Sequence, residues 1–367
     1  MGRVLARMWE ILSRRVDSFL FGVALTIAGI GLITLFSATD QSTARLSSQA
    51  LSLGFALVLM WIVANIPPQT IARAAVPLYA LGIVLLVGVA VGGVSVNGSR
   101  RWLNLGFGRF QPSELMKVAL PLMLAWHFQK FEGRLGWKDF ALAAVLIAVP
   151  VYLIKRQPDL GTSLLIAASG FYVLYFAGLS WKVIAGLVVA AAAAAPLAWP
   201  HLREYQRERI LTFIDPTRDP LGAGYHSSQA SIALGSGGVV GKGWLNGTQT
   251  HLDFLPERHT DFIFAVFGEE FGLIGNAVLL VLYLLLIGRG LMITAGASTL
   301  FARLIAGATT LMFFTYAFVN MGMVSGVLPV VGVPLPLVSY GGTALISLFI
   351  GLGILMSVQA HRKLVNT

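Results

Sequence analysis

Apolar residues run through this chain in blocks of about 20, the length a helix needs to cross a bilayer, and polar residues collect in short stretches between the blocks. The blocks are rich in Leu, Val, Ala and Gly and lack the alternation of a lumen-lined barrel strand. They predict spans near 19–38, 48–66, 74–94, 112–128, 140–156, 160–178, 182–200, 262–287, 304–326 and 341–359. The expected fold class is all-α: a polytopic integral membrane protein with about ten transmembrane helices and a large extracytoplasmic loop between spans 7 and 8. The first block exceeds a signal-peptide core and no small-residue cleavage site follows it, so it is expected to stay as a span.

The domain reading follows from the same pattern. Residues 1–17 form a basic cytoplasmic N-terminus, and 18–367 a single transmembrane domain with a large loop at 201–261 and a cytoplasmic end at 360–367. Val4, Leu5, Met8, Trp9, Ile11 and Leu12 alternate at helical spacing with Arg3, Arg7, Arg14 and Arg15. That segment either lies on an anionic membrane surface or is a topogenic flank, and both place it in the cytoplasm. Segment 327–340 is apolar yet crowded with Pro and Gly, so it is expected as a re-entrant outer loop buried against protein, the wall of a lipid-facing groove.

Charge changes the picture more than composition does. The chain is 56% hydrophobic and 11% charged, with a net charge of +10, and it has no cysteine. Disulfides, thiolate metal sites and a Cys nucleophile are thereby excluded, leaving carboxylates, His, hydroxyls and bases for any chemistry. With both termini inside, 13 Lys and Arg fall on the inner side and 12 on the outer. So weak a positive-inside bias fits a phosphate-bearing partner at the outer face, or long loops that escape the rule. Nothing points to nucleic acid.

The densest polar burst, Glu257-Arg258-His259-Thr260-Asp261, sits directly against an apolar run. A carboxylate where water gives way to hydrocarbon has a tuned proton affinity and still reaches a polar substrate, which makes Asp261 the candidate reactive group. His259 is either a second polar contact or a helix-start residue. Gln111-Pro112-Ser113-Glu114 opens the fourth span with Glu114 and Lys117 on one face, a pair that either sets packing or braces a cavity. Asp159 opens the sixth span, as a cap or a cavity group. Helical phase from Asp261 allows Glu269 to line the same cavity and puts Glu270 roughly opposite, with ion-pair or packing roles read first for both. Gly235 to Gly243 fails as a nucleotide-binding loop, because Ser236 and Gly243 stand where Gly and Ser or Thr are required. Flexible turns are expected there, with Lys242 free to touch an anion.

The chain also carries a resemblance. Asn320, Gly326, Pro329-Val-Val-Gly332 and Val338-Ser-Tyr-Gly-Gly-Thr-Ala344 are similar to the signature of the SEDS family, the shape, elongation, division and sporulation proteins. Arg101-Trp102-Leu103, Phe110 to Glu114, Gln157 to Gly161, Asp219 to Tyr225 and Pro256 to Ile263 agree, and the details resemble the elongation branch. The resemblance implies a peptidoglycan glycosyltransferase of the hexosyltransferase class that polymerises lipid II at the outer face of the bacterial cytoplasmic membrane. It also implies a class B penicillin-binding protein and other elongation-complex membrane proteins as partners. Asp261 is then the candidate base, and Arg45, Arg101, Trp102, Gln111, Lys117, Arg209, Lys242 and His259 the candidate substrate contacts. A divalent cation, Mg or Mn, would assist at the diphosphate. Trp102 either stacks on a sugar or anchors at the interface. A lipid II flippase and a scaffold for the transpeptidase stand as the alternatives.

Overall fold

The computed structural model describes residues 15–96, 99–104, 109–202, 204–215, 223–251, 255 and 257–362. The chain winds through α1 (Ser18–Ala38), α2 (Thr43–Asn65), a short α3 (Pro68–Arg73) and α4 (Ala75–Gly92). A small sheet follows, of β1 (Val94–Val96), β2 (Ser99–Asn104) and β3 (Arg109–Phe110). Then come α5 (Pro112–Lys130), α6 (Trp137–Arg156), α7 (Leu160–Phe176) and α8 (Trp181–Ala198). Short α9 (Glu204–Ile214), α10 (Ala223–Ser236) and α11 (Thr248–His251) lead to α12 (Ile263–Ala295), α13 (Leu300–Val324) and α14 (Gly342–Ala360). The basic N-terminal segment, residues 1–14, lies outside the described residues.

Helix starts follow the local chemistry. Asp17 accepts from the Leu20 amide at the head of α1, and Arg289 of α12 closes on the same carboxylate. Ser42, Asp159, Ser180 and Thr299 cap α2, α7, α8 and α13 in the same way. Pro112 occupies the first turn of α5, where its missing N–H costs nothing.

Among the described residues seven helices are long and apolar enough to cross a membrane: α1, α2, α4, α6, α12, α13 and α14. α7 and the apolar part of α8 are shorter, and α5 carries Glu114, Lys117 and Lys130. Large apolar side chains stand exposed on α2, α4, α6 and α12, among them Leu51, Val84, Val145 and Leu284. In water such faces would aggregate; in a bilayer they meet hydrocarbon. α2 packs closely on α14, where a Cβ at Gly353 would come within 2.6 Å of the Met60 carbonyl.

The fold is helical, as expected, and the short sheet is an addition to it. β2 pairs antiparallel with both neighbours, setting Val94 opposite Trp102 and Leu103 opposite Phe110. The flanking sequence, Val-Ser-Val then Asn97-Gly98 then Ser-Arg-Arg-Trp, has the hairpin signal of two extended runs about an Asn-Gly pair.

The glycine-rich stretch is also not a set of flexible turns. α12 breaks at Gly272, whose φ of 65° and ψ of −163° are essentially restricted to glycine. The break opens the ladder bonds that would join residues 273 and 274 to the carbonyls of 269 and 270. The loop fills that gap: Lys242 and Gly243 amides donate to Glu269 and Glu270 carbonyls, both at 3.0 Å. Leu273 and Ile274 amides donate to the Gly238 and Val239 carbonyls, at 3.0 and 3.1 Å. Backbones approach too closely for side chains, since a Cβ on Gly272 would lie 2.3 Å from the Gly241 nitrogen. Gly272→Ala is therefore expected to lower stability by about 1–3 kcal/mol from backbone strain alone, before the clash is added. Thermal unfolding of the purified variant checks this; an unchanged midpoint would refute the wedge.

Candidate active site

Residues 257–262 form a tight polar turn ahead of α12. Thr260 and Phe262 amides both return to the Glu257 carbonyl, and the Thr260 hydroxyl donates to the Glu257 carboxylate at 2.9 Å. Arg258 is tied to Asp40 at 2.5 Å and donates to the Thr250 carbonyl, joining the turn to the end of α1 and to α11.

Within that turn, three consecutive carbonyls are captured from other elements. The Tyr340 amide donates to His259 O at 2.9 Å, the Ser339 hydroxyl to Thr260 O at 2.7 Å, and the Asn320 side-chain amide to Asp261 O at 2.8 Å. Asn320 also donates to Val333 O at 2.7 Å, and Ser339 accepts from the Leu335 amide at 2.7 Å. The clamping segment is itself anchored. Gln49 of α2 donates to Ser339 O and accepts from the Gly341 amide, and the Tyr283 hydroxyl of α12 donates to Pro336 O. Segment 325–341 is non-helical, and Val333, Leu335, Leu337 and Val338 are buried. Protein groups bond its backbone at Val333, Leu335, Pro336, Ser339, Tyr340 and Gly341.

The clamp holds the Asp261 backbone and leaves its half-buried carboxylate against Gly332. Gly332 has a φ of 72°, and a Cβ there would lie 3.2 Å from Asp261 Oδ2. Gly161 at the start of α7 abuts the same segment, since its Cβ would sit 2.5 Å from Val331 O. Just before it, Asp159 caps α7 through the Thr162 amide and pairs with Arg101 at 3.5 Å. Arg101 also donates to Pro158 O.

His259 faces Tyr340 with ring centroids 5.9 Å apart. Burial first, and the charge of Arg45 second, hold its imidazole below the ordinary value of 6.5; Glu257 opposes this and Arg258 adds a smaller push. His259 is thus neutral at pH 7. With its folded-state pKa depressed, the unfolded chain binds the proton more readily, so this residue's contribution is intact above about pH 6.5 and is lost as pH falls through that value. The thermal midpoint is expected to fall on acidification, and His259→Gln to reduce that dependence. A variant with the wild-type slope would exclude His259 as the source.

The other sequence candidates lie on several elements. Arg45, exposed at the start of α2, has no carboxylate partner among the described residues. Lys117 and Glu114 form a buried pair at 2.6 Å, with Ser347 of α14 donating to the second Glu114 oxygen and Lys117 over the Tyr316 ring of α13. Beside them opens an apolar groove of about 490 Å³, lined by Phe55, Leu115, Val118, Ile346 and Ile350. Trp102 is half-buried on β2, and Gln111 precedes α5 as its N-cap residue. The Arg209 side chain lies outside the described residues.

Two expectations change. Lys242 is not free for an anion, because it pairs with the fully buried Glu269 at 2.7 Å and bonds the Thr248 hydroxyl. Glu269 further accepts from the Gln249 amide and from both the amide and hydroxyl of Thr250. It therefore anchors the wedge rather than lining the cavity of Asp261. The helical phase that suggested otherwise does not apply, since α12 starts at Ile263. Glu270 accepts from Ser37 and the Leu245 amide, again structural bonds. Sequence reading gave no role to Gln49, Asn320, Ser339 or Tyr340. The available signal was the family signature for Asn320, Ser339 and Tyr340, with Asn320 also an uncharged amide inside an otherwise apolar run.

Helices with exposed apolar surfaces, together with a clamped carboxylate and a groove, define a polytopic membrane protein with a polar candidate site. The cell cycle protein model of FtsW, RodA and SpoVE matches residues 17–364. The peptidoglycan glycosyltransferase MrdB of Escherichia coli K12 is 50% identical over 352 residues, covering 96% of this chain and 95% of its own. MrdB of Helicobacter pylori 26695 is 37% identical over 340 residues, covering 90% and 87%. A chain solved in work on structural coordination of polymerization and crosslinking by a peptidoglycan synthase complex aligns at a TM-score of 0.83. It is 34% identical, with 95% of this chain and 99% of that one covered. Thermus thermophilus rod shape determining protein RodA aligns at 0.72, with 32% identity and 95% and 97% covered. The chain belongs to the FtsW, RodA and SpoVE family, the SEDS family that its motifs resemble.

Proposed function

We infer that the chain is a peptidoglycan glycosyltransferase of the elongation branch, polymerising lipid II at the outer face of the bacterial cytoplasmic membrane. The observation that carries the reading is the clamp: three consecutive carbonyls are held so that Asp261 presents its carboxylate at Gly332, with His259 neutral and the Arg45 charge close enough to act on it. The reading takes ten spans, with α5, α7 and α8 added to the seven longer helices, so that both termini lie in the cytoplasm and the Asp261 turn outside.

In this reaction the 4-hydroxyl of the acceptor's GlcNAc attacks C1 of the donor's MurNAc. The C1–oxygen bond to the diphosphate breaks, and Asp261 takes the hydroxyl proton. Undecaprenyl diphosphate leaves with the bonding electrons. Arg45, with no carboxylate partner among the described residues, is best placed to stabilise that charge, with Arg101 partly committed to Asp159. The polyprenyl chain fits the apolar groove beside Glu114 and Lys117. No group of three His, Asp or Glu side chains able to hold a metal ion exists among the described residues. A divalent cation would be held by the Asp261 carboxylate and would supply charge stabilisation at the leaving diphosphate.

The partner is a class B penicillin-binding protein, which cross-links the strands within a larger elongation complex. Purified chain combined with that transpeptidase and given lipid II is expected to produce glycan polymer, and Arg45→Gln to lower kcat more than it raises KM. Movement of lipid II across vesicles without polymer would assign transport instead, and transpeptidase binding alone a scaffold.

A further inference from the structure

Arg100 and Arg101 are neighbours on β2, and the pleat of a strand sends adjacent side chains to opposite faces. Arg101 turns to Asp159 and is neutralised there. Arg100 instead lines a cavity of about 600 Å³ between the ends of α4 and α6, shared with Tyr152, Arg156 and Gln157. Arg156 lies over the Tyr152 ring, its guanidinium carbon 5.8 Å from the ring centre. Neither Arg100 nor Arg156 has a carboxylate partner among the described residues. Two unneutralised guanidinium groups thus face one space.

What runs away from that space is apolar. On α6, Val145, Val149 and Tyr152 stand exposed at spacings of four and three residues, one stripe leading to Arg156 four residues further on. On α4, Val84, Val87 and Val91 do the same towards the cavity, which Val89 and Ala90 border. Hydrocarbon-facing ridge, then Tyr, then Arg is the order in which a phospholipid presents acyl chain, interface and phosphate. Complementing the α6 dipole explains Arg156 but leaves Arg100 and the cavity without a reason.

We propose that this cavity holds the phosphate of an anionic glycerophospholipid, with its acyl chains lying along the α4 and α6 stripes. The site is separate from the Asp261 turn, because the two neighbouring arginines of β2 serve opposite faces. It rests on the membrane placement of α4 and α6 and not on the polymerase reading.

The purified full-length chain, delipidated and titrated with phosphatidylglycerol or phosphatidylcholine under native mass spectrometry, tests it. Wild type is expected to retain phosphatidylglycerol preferentially. The Arg100→Gln/Arg156→Gln double variant should lose about tenfold or more of that affinity, while Arg100→Lys/Arg156→Lys keeps most of it and guards against a folding artefact. Equal retention of the two lipids, an undiminished double variant, or displacement by millimolar inorganic phosphate would overturn the proposal.

Discussion

Asp261→Asn is expected to slow glycan polymerisation by about 10²- to 10⁴-fold, the contribution of a positioned general base, and to leave thermal stability near wild type. The two outcomes separate because the clamp engages the Asp261 backbone, Asn320 donating to its carbonyl oxygen at 2.8 Å, and asparagine keeps that backbone in place. Asparagine preserves shape and the clamp but cannot accept the hydroxyl proton at neutral pH. Asp261→Glu should also fail in large part, because the clamped backbone leaves an added methylene no way to be absorbed, and a displacement of about 1 Å is worth about 10² in rate. Initial rates of lipid II consumption, with unfolding midpoints beside them, check both variants. An Asp261→Asn enzyme at wild-type rate would remove the base from this site.

Lys117→Met is expected to be among the most destabilising single substitutions in the chain. Lys117 and Glu114 are each about nine-tenths buried, at 8% and 7% side-chain exposure, so removing the ammonium leaves a carboxylate with Ser347 alone for support. Breaking a buried pair in this way costs about 3–5 kcal/mol. The double variant Glu114→Gln/Lys117→Met removes both charges and should recover most of that loss, because the apolar groove and the Tyr316 ring accept the methionine. Unfolding in detergent, run as a double-mutant cycle, measures the coupling; additive losses would show that the two groups do not act as a pair.

The architecture was largely legible because hydrocarbon imposes one rule on every segment: about 20 apolar residues between polar breaks. The predicted block at 112–128 fell within two residues of α5 even though that helix carries charge. Residues 48–66 and 262–287 were read with displaced ends, since α2 begins at Thr43 in polar sequence and α12 runs on to Ala295. The polar burst at 257–261 was visible as an anomaly, but its geometry was not. The clamp joins residues about 60 to 80 positions apart, and the wedge at Gly272 joins 238–243 to 269–274; neither leaves a local period. Lys242 and Glu269 each looked available in isolation, and only the fold shows that they neutralise each other. The β1–β2 hairpin differs, because Asn97-Gly98 announced it and the apolar blocks on either side obscured it.

The central claim, that the clamped carboxylate at this polar edge drives lipid II polymerisation, is tested most directly by a single-turnover experiment. Wild type and Asp261→Asn, each assembled with the transpeptidase to equal occupancy, are mixed in detergent with labelled lipid II, where no leaflets exist to confuse transport with reaction. Rapid joining of donor to acceptor by wild type and its near-absence in the variant is the predicted result. Equal joining by both would contradict it.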